Sequence, residues 1–211
     1  MFNPEERVRI ETSGGVPIAQ GSPGSDIRLA DVLAVVPPEF RRRGFFFRPL
    51  VAALGPHYER KQEELEEPPA LGIYRPLVSY PTRDYFRLFD TVARMRSPRV
   101  SPAQAYRLLA RDEPQSFKAT VLGQLTWGLF DEPTQVLLAW PEVLGKIMRG
   151  PETRVQQRGE RHVHVEVLGP FSSPFYGLGV LEGCVLAFAV HPRITLETHE
   201  DRTSYDVRWD V

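Results

Sequence analysis

The sequence predicts an α+β domain in which a helical N-terminal part is followed by a small antiparallel sheet with a core helix. Apolar residues at helical spacing dominate residues 27–150. After Gly150 the spacing changes to a two-residue alternation, which is typical of strands with one buried face. An apolar, glycine-rich stretch at residues 173–190 interrupts this alternation. We therefore predict one domain over residues 27–211, with a helical part at 27–150 and a strand–helix–strand–strand part at 151–211.

The composition is that of an ordinary soluble globular protein. The chain has 211 residues, 42% hydrophobic and 25% charged, which is enough for one domain with a full core. Its 26 Lys and Arg residues are balanced by 27 Asp and Glu residues, so the net charge of -1 gives no general attraction to nucleic acid or to an anionic membrane. Because the chain has one cysteine, no signal-peptide pattern and no apolar run of membrane-spanning length, we expect a cytoplasmic location.

Residues 1–26 are predicted to be an N-terminal segment made of a short edge strand and a flexible linker. Val8 and Ile10 alternate with charged residues, which indicates a short edge strand. Residues 12–26 are rich in Gly, Ser and Pro and are interpreted as a flexible linker. The apolar stretch that follows, residues 27–36, fits either a helix or an extended segment.

Three consecutive arginines, Arg41 to Arg43, precede an aromatic triplet at residues 45–47. Such a combination could bind a nucleic-acid backbone and stack bases. Alternatively, the arginines form the solvated shoulder of an apolar helix that starts near Gly44 and is kinked or restarted at Pro49. The balanced net charge favours this second interpretation, so nucleic acid is not an expected partner.

Further helices are predicted from apolar spacing and capping signals. An acidic surface helix is expected within residues 56–67, and an amphipathic helix covers residues 80–97. Ser101 and Pro102 provide the N-cap and first-turn proline of the next helix.

The last part of the helical region is more apolar. A helix at residues 119–130 is apolar almost all round and is therefore expected to be well buried. Two helical pieces follow at residues 136–139 and 141–149. We expect a break between them, at Trp140 and Pro141, because proline disrupts a helix interior.

The C-terminal part is predicted to be a strand, a buried helix and a two-stranded hairpin. The strand has one apolar face, formed by Val163, Val165 and Val167. Ser173 and Pro174 are the cap and first-turn proline of the helix, and its interspersed glycines are interpreted as close packing on the sheet. Alternation returns around Ile194 and at residues 204–211, and the polar stretch at 198–203 fits the hairpin turn between them.

One strand face carries residues that could bind a metal ion. His162, His164 and Glu166 share the polar face of the predicted strand. Side chains on one strand face point in parallel rather than converging, so a solvated face is the expected state and no metal site is predicted.

Other chemical groups do not form a catalytic pattern. Glu182, alone among apolar residues of the core helix, is either a buried acid or an acid that reaches the exposed side, and we expect the exposed side. Cys184 has apolar neighbours and is interpreted as an inert thiol. The sequence shows no paired catalytic carboxylates, phosphate loop or zinc-finger spacing, so an enzyme is not expected.

From Tyr80 onward the order of segments resembles the haem-NO-binding sensor domains, the vinyl-reductase-type sensor domains and the small subunits of the vesicle-tethering TRAPP complex. The resemblance depends on YPTRDYFRLFDTVAR, AYRLLA, PEVLGKIM and GLGVLEGCVLAFAV. Most of the chain after about Ile27 also resembles a paralogous family of domains of unknown function found largely in myxobacteria. The segments RRRGFFFRPLVAAL, YPTRDYFRLF and FYGLGVLEG carry that second resemblance.

The chain departs from haem-NO-binding sensors at the residues that hold haem. Those sensors have a proximal histidine in the helical stretch before the last sheet, and residues 136–149 contain none. Their Tyr-x-Ser-x-Arg motif would fall at residues 166–173, where this chain has EVLGPFSS. No haem, and no other cofactor, is therefore expected.

The resemblance implies a non-enzymatic, cytoplasmic regulatory module that binds a small apolar ligand or a protein partner. The layout and the large apolar residues of the helical half suggest a pocket lined by Phe89, Trp127, Leu137, Trp140, Phe175 and Leu178. The alternative is a homodimeric interaction or assembly subunit without a ligand pocket. An internal cavity would favour the first hypothesis, and a large symmetric apolar surface patch the second.

Overall fold

The computed structural model describes residues 9–13, 26–169, 173–199 and 201–210. In these ranges the helices are α1 (Leu29–Val35), α2 (Phe47–Leu54), α3 (His57–Gln62), α4 (Thr82–Arg96), α5 (Pro102–Arg111), α6 (Glu113–Lys118), α7 (Val121–Trp127), α8 (Pro133–Ile147) and α9 (Pro174–Leu186). Short 3₁₀ turns lie at Gly44–Phe46 and Ala70–Gly72. The strands are β1 (Arg9–Ser13), β2 (Arg41–Arg43), β3 (Ser79–Pro81), β4 (Met148–Arg149), β5 (Thr153–Gly159), β6 (His162–Leu168), β7 (His191–Thr198) and β8 (Arg202–Asp210).

The strands form two antiparallel sheets. The larger sheet has the order β1-β7-β8-β6-β5, and the smaller has the order β3-β2-β4. The predicted α+β class is confirmed, as is the buried face of β6 at Val163, Val165 and Val167. The sequence prediction missed β5 because this strand is largely exposed and has no apolar alternation.

The N-terminal strand β1 pairs with β7 at the edge of the larger sheet, from Arg9 opposite Glu197 to Ser13 opposite Arg193. Residues 14–25 of the predicted linker lie outside the described residues. At the other end of β7, Thr198 pairs with Thr203 of β8, where the hairpin turn is predicted.

The core helix α9 lies between the larger sheet and helix α5. Its N-cap is Ser173, whose hydroxyl oxygen accepts a hydrogen bond from the backbone N–H of Tyr176, and Pro174 is in the first turn. The predicted close packing of its glycines is against α5 rather than the sheet. A Cβ on Gly179 would lie 2.2 Å from the carbonyl oxygen of Arg107, and one on Gly183 would lie 2.3 Å from that of Arg111.

Helix α7 corrects the prediction of a well-buried helix at residues 119–130. Val121 is 77% exposed, Leu125 70% and Leu129 75%. Only Gly123 and Trp127 of α7 are buried. The apolar composition predicted burial on all sides. A short helix at the surface, however, presents only one side to the core, here the side of Gly123 and Trp127.

The predicted break at Pro141 is also wrong, because α8 continues through it from Pro133 to Ile147. Proline removes one backbone hydrogen bond from a helix interior. Buried side chains on both sides of the proline, including Leu137 and Ile147, hold the two halves of α8 in one helix.

The described helices include none that is both long and apolar enough to cross a membrane.

Candidate functional site

A cavity of about 760 Å³ lies where α6, α7, α8 and α9 meet the small sheet and one face of β6. Aromatic side chains form part of its wall, namely Phe46, Phe117, Trp127, Phe130 and Trp140. Aliphatic side chains from α8, β6 and α9 form another part, among them Val143, Leu144, Val165, Val180 and Leu181. The cavity is therefore mainly apolar, as ligand pockets of this size usually are.

Two of the six predicted pocket residues, Trp127 and Trp140, are in the wall of this cavity. The other four, Phe89, Leu137, Phe175 and Leu178, are buried in the core and are not among the lining residues. Helical periodicity identifies which side chains face inward. It does not identify which inward side chains are next to a space that the protein leaves unfilled.

The polar end of the cavity is formed by the arginine run, which is strand β2 rather than the shoulder of a helix. Because side chains alternate along a strand, the neighbours of Arg42 point away from it. Arg41 forms a bidentate ion pair with Glu67, and Arg43 donates a hydrogen bond to the carbonyl oxygen of Leu77. Arg42 points inward and is only 2% exposed, so the predicted solvated shoulder is wrong for this residue.

The guanidinium of Arg42 is held among aromatic rings. Its Cζ lies 4.2 Å from the ring centroid of Tyr85, 5.0 Å from that of Tyr176 and 5.2 Å from that of Phe86. Its Nη1 donates a 2.6 Å hydrogen bond to the hydroxyl of Tyr176. Cation–π contacts in a desolvated site favour a charged guanidinium. The Nε–H of Arg42 is buried and has no acceptor among the described residues.

Glu113, the first residue of α6, completes this polar cluster. Its carboxylate accepts a 2.6 Å hydrogen bond from Tyr176 through Oε2 and another from Tyr85 through Oε1. Burial raises the pKa of Glu113 to about 7, although the charge of Arg42 and the hydrogen bond from Tyr176 act to lower it. Glu113 therefore changes its charge near neutral pH.

Sequence reasoning missed the cluster of Arg42, Tyr85, Glu113 and Tyr176. The four residues come from β2, α4, α6 and α9, and their spacing in the chain follows no motif. The available signal was weak: a run of three arginines before a short apolar segment, which is also typical of a solvated surface.

The cavity wall does not supply the usual axial ligands of haem iron. Proteins hold haem iron through His, Cys, Tyr, or a Met–His pair. No histidine or cysteine is among the described residues that line the cavity. The hydroxyl of Tyr176 is engaged by Arg42 and Glu113, that of Tyr205 donates to the carbonyl of Pro174, and Met148 has no histidine partner in the wall. The residues present do not fit a haem.

The polar face of β6 forms side-chain hydrogen bonds with the neighbouring strand. Asp206 of β8 lies 2.8 Å from Nε2 of His162 and 3.3 Å from Nδ1 of His164. Partial burial acts to raise the pKa of Asp206, but the hydrogen bond with His162 and the interaction with His164 lower it overall. In the part of the chain that the structure describes, no group of three or more His, Cys, Asp or Glu residues is placed to hold a metal ion.

Two other residues of α9 differ in how well the sequence predicted them. Glu182 is buried rather than exposed, because Arg107 of α5 forms a bidentate ion pair with it. Cys184 is a buried free thiol whose pKa is raised by burial.

Comparison with known proteins identifies the family and the fold. A family model described as "Protein of unknown function (DUF2378)" matches residues 38–210. No curated protein matches the chain. Solved structures with a similar fold include H-NOX proteins.

Three of them illustrate the likeness. The Fe(II)NO form of an H-NOX protein from S. oneidensis has a TM-score of 0.64 and 14% identity, and the match covers 80% of this chain and 99% of that one. An Fe(II) unliganded H-NOX protein from K. algicida has a TM-score of 0.60 and 14% identity over 80% and 97% of the two chains. An oxygen-binding H-NOX domain related to soluble guanylate cyclases has a TM-score of 0.58 and 15% identity over 80% and 93%. At this level of identity the likeness shows the fold alone.

Proposed function

The chain belongs to the family of proteins of unknown function (DUF2378), and membership of this family indicates no activity. From the geometry of the site, we propose that the protein is a non-enzymatic regulatory module. In this proposal a small, largely apolar molecule binds in the cavity, without haem. The H-NOX-like fold supports a sensor role, because the solved relatives bind small molecules, as their Fe(II)NO and oxygen complexes show.

The observation that carries the proposal is the cavity itself. Protein interiors are close-packed, so an apolar space of this size, here partly open to solvent, is not expected from core packing alone. A cavity of about 760 Å³ falls within the range of small-molecule pockets. Its apolar wall with a few convergent polar groups at one end is the arrangement that binds and orients a small ligand.

The polar cluster is suited to orient a ligand rather than to transform one. Arg42 offers hydrogen-bond donors, and Tyr176 and Glu113 are already bonded to each other. The described wall contains no cysteine or histidine that could act as a nucleophile or general base. Glu113 has a pKa of about 7, but Tyr85 and Tyr176 already donate to its two carboxylate oxygens, so the cluster supports binding better than a reaction.

Narrowing the cavity is expected to weaken the binding of a neutral apolar probe. Val180 lies in the wall on α9, so Val180→Phe would extend a ring into the empty space. We expect the affinity for N-phenyl-1-naphthylamine to fall by at least ~10-fold, since the ring occupies the binding volume. Binding is measured by energy transfer from the three tryptophans of the chain, of which Trp127 and Trp140 are in the wall.

The matched control is Val180→Ile, which adds one methylene and should retain most of the affinity. Unfolding midpoints of both variants establish that they are folded. Unchanged probe binding by Val180→Phe would place the probe outside the cavity and contradict the proposal.

A second candidate function, a self-associating interaction subunit, is favoured by the exposed apolar face of α7. Val121, Leu125 and the following Leu129 are all at least 70% exposed. If this face joins two copies, Leu125→Glu should weaken the dimer by at least ~10-fold, because it places a charge in an apolar interface. Sedimentation velocity over a concentration series measures the effect, with Leu71→Glu as the control at a 95% exposed position outside α7. A monomer at all concentrations would exclude this candidate.

A further inference from the structure

We infer that the molecule bound in this cavity is an amphipathic monoanion, with an apolar body against the aromatic wall and one carboxylate-type head group at Arg42. This inference rests on the proposed function, because it names the ligand class of the same cavity. Two features of the wall support it, namely its unpartnered hydrogen-bond donors and the buried guanidinium of Arg42, while Glu113 predicts a pH dependence that tests it.

The unpartnered polar atoms of the wall are donors. Nε of Arg42 and Nε1 of Trp127 are both buried and lack an acceptor among the described residues. Both residues line the cavity. The other buried polar atoms without a partner belong to residues that do not line it. Because a buried donor without an acceptor is destabilising, a ligand that offers acceptor oxygens fits this wall better than one that offers donors.

The charged residues of the wall are mostly basic. The acidic side chains among the described lining residues are Glu113 and Glu152, whereas the basic ones are Arg41, Arg42, Arg43, Lys146 and Arg149. Arg41 and Lys146 have carboxylate partners, Glu67 and Glu142, and the guanidinium of Arg43 is bonded to the carbonyl oxygen of Leu77. Arg42 is the buried member of the basic set and therefore the position where an anionic head group would gain most from a charge-assisted hydrogen bond.

Glu113 lies next to the proposed head-group position, so its protonation state affects the binding of an anion there. From the elements packed around it, the titratable or charged groups that face Glu113 are Arg42 of β2, Tyr85 of α4, and Tyr176 and Cys184 of α9. An anion bound at Arg42 repels an ionised Glu113 and favours its protonated form. Since the pKa of Glu113 in the free protein is about 7, the protonated form is available at a small free-energy cost.

The direction of the pH dependence follows from the coupling between anion binding and protonation of Glu113. Binding an anion raises the pKa of Glu113 above about 7, so the complex takes up a proton. For an anion whose own pKa lies well below that of Glu113, affinity is highest between the two pKa values. It falls as the pH rises through the pKa of Glu113 in the free protein and up to the higher pKa in the complex. A neutral ligand of the same shape should show a much weaker dependence.

The test is a displacement titration of N-phenyl-1-naphthylamine from the unmodified 211-residue chain by decanoate, decanol and decylammonium. At about pH 6, we expect decanoate to displace the probe at a concentration on the order of 10-fold below that of decanol, with decylammonium weakest. Between about pH 6 and about pH 8.5, the affinity for decanoate should fall by roughly 10-fold, whereas that for decanol stays nearly constant.

The head-group series uses the unmodified protein, so it does not depend on whether a variant folds. Glu113→Gln should remove the pH dependence, and Glu152→Gln, at the exposed acid of the same wall, should retain it. Decanol or decylammonium binding as tightly as decanoate at low pH would overturn the inference, as would an unchanged pH dependence in Glu113→Gln. Those results leave the proposed function intact, whereas failure of the neutral probe to bind in the cavity would reject both.

Discussion

Replacing Glu182 with glutamine is expected to lower the free energy of unfolding by about 3–5 kcal/mol, because it leaves the buried charge of Arg107 without its carboxylate. Arg107 is 2% exposed and Glu182 4% exposed. Nε of Arg107 donates to Oε2 of Glu182 at 2.8 Å, and Nη2 donates to Oε1. Equilibrium unfolding in urea measures the loss.

Two controls separate the buried charge from other causes. Glu142→Gln breaks the ion pair with Lys146, in which both side chains are more than 70% exposed, and should change stability by less than about 0.5 kcal/mol. Replacing both partners, Arg107→Met with Glu182→Leu, should recover much of the stability lost in Glu182→Gln, since no uncompensated charge remains. A cost below about 1 kcal/mol for Glu182→Gln would show that Arg107 finds other compensation and would contradict the prediction.

The same ion pair shows why part of the structure could not be predicted from the sequence. A lone acid among apolar residues is normally exposed, and that is the expectation for Glu182. Its burial depends on Arg107, which is 75 residues away in the chain. The contacts among Arg42, Glu113 and Tyr176 also join residues that are distant in the chain, since they come from β2, α6 and α9. No local pattern distinguishes these residues from ordinary surface or core positions.

Predictions from local signals were more successful. The cap at Ser101 accepts a hydrogen bond from the backbone N–H of Gln104, and the valine alternation of β6 is buried as predicted. Local signals failed where packing decides the outcome, as in the continuous helix through Pro141. For the site, two of the six residues predicted to line a pocket, Trp127 and Trp140, lie in the wall of the cavity. The position of a cavity depends on how all the surrounding elements pack. The sequence therefore could not show that Trp127 and Trp140 line the cavity whereas Phe89 lies in the filled core.

Substituting Gly179 with alanine is expected to destabilise the protein by about 1–3 kcal/mol, because the new methyl group has no room between α9 and α5. Its Cβ would lie 2.2 Å from the carbonyl oxygen of Arg107 and 2.9 Å from the Cβ of Ala110. The first atom belongs to a helix backbone and cannot move alone, so the two helices must separate. Separation would also lengthen the ion pair between Arg107 and Glu182. The loss should therefore exceed the gain of about 1 kcal/mol that alanine brings to a helix.

Gly145→Ala is the matched control for this prediction. Gly145 is also a helical glycine, in α8, but a Cβ at this position meets no atom within 4 Å. We expect Gly145→Ala to be neutral or to stabilise the protein by up to about 1 kcal/mol, as helix propensity alone dictates. Opposite signs for the two substitutions, measured by urea unfolding, would show that the glycines of α9 serve the close approach to α5. If Gly179→Ala is also neutral, α5 and α9 can separate without loss, and the close contact does not stabilise the fold.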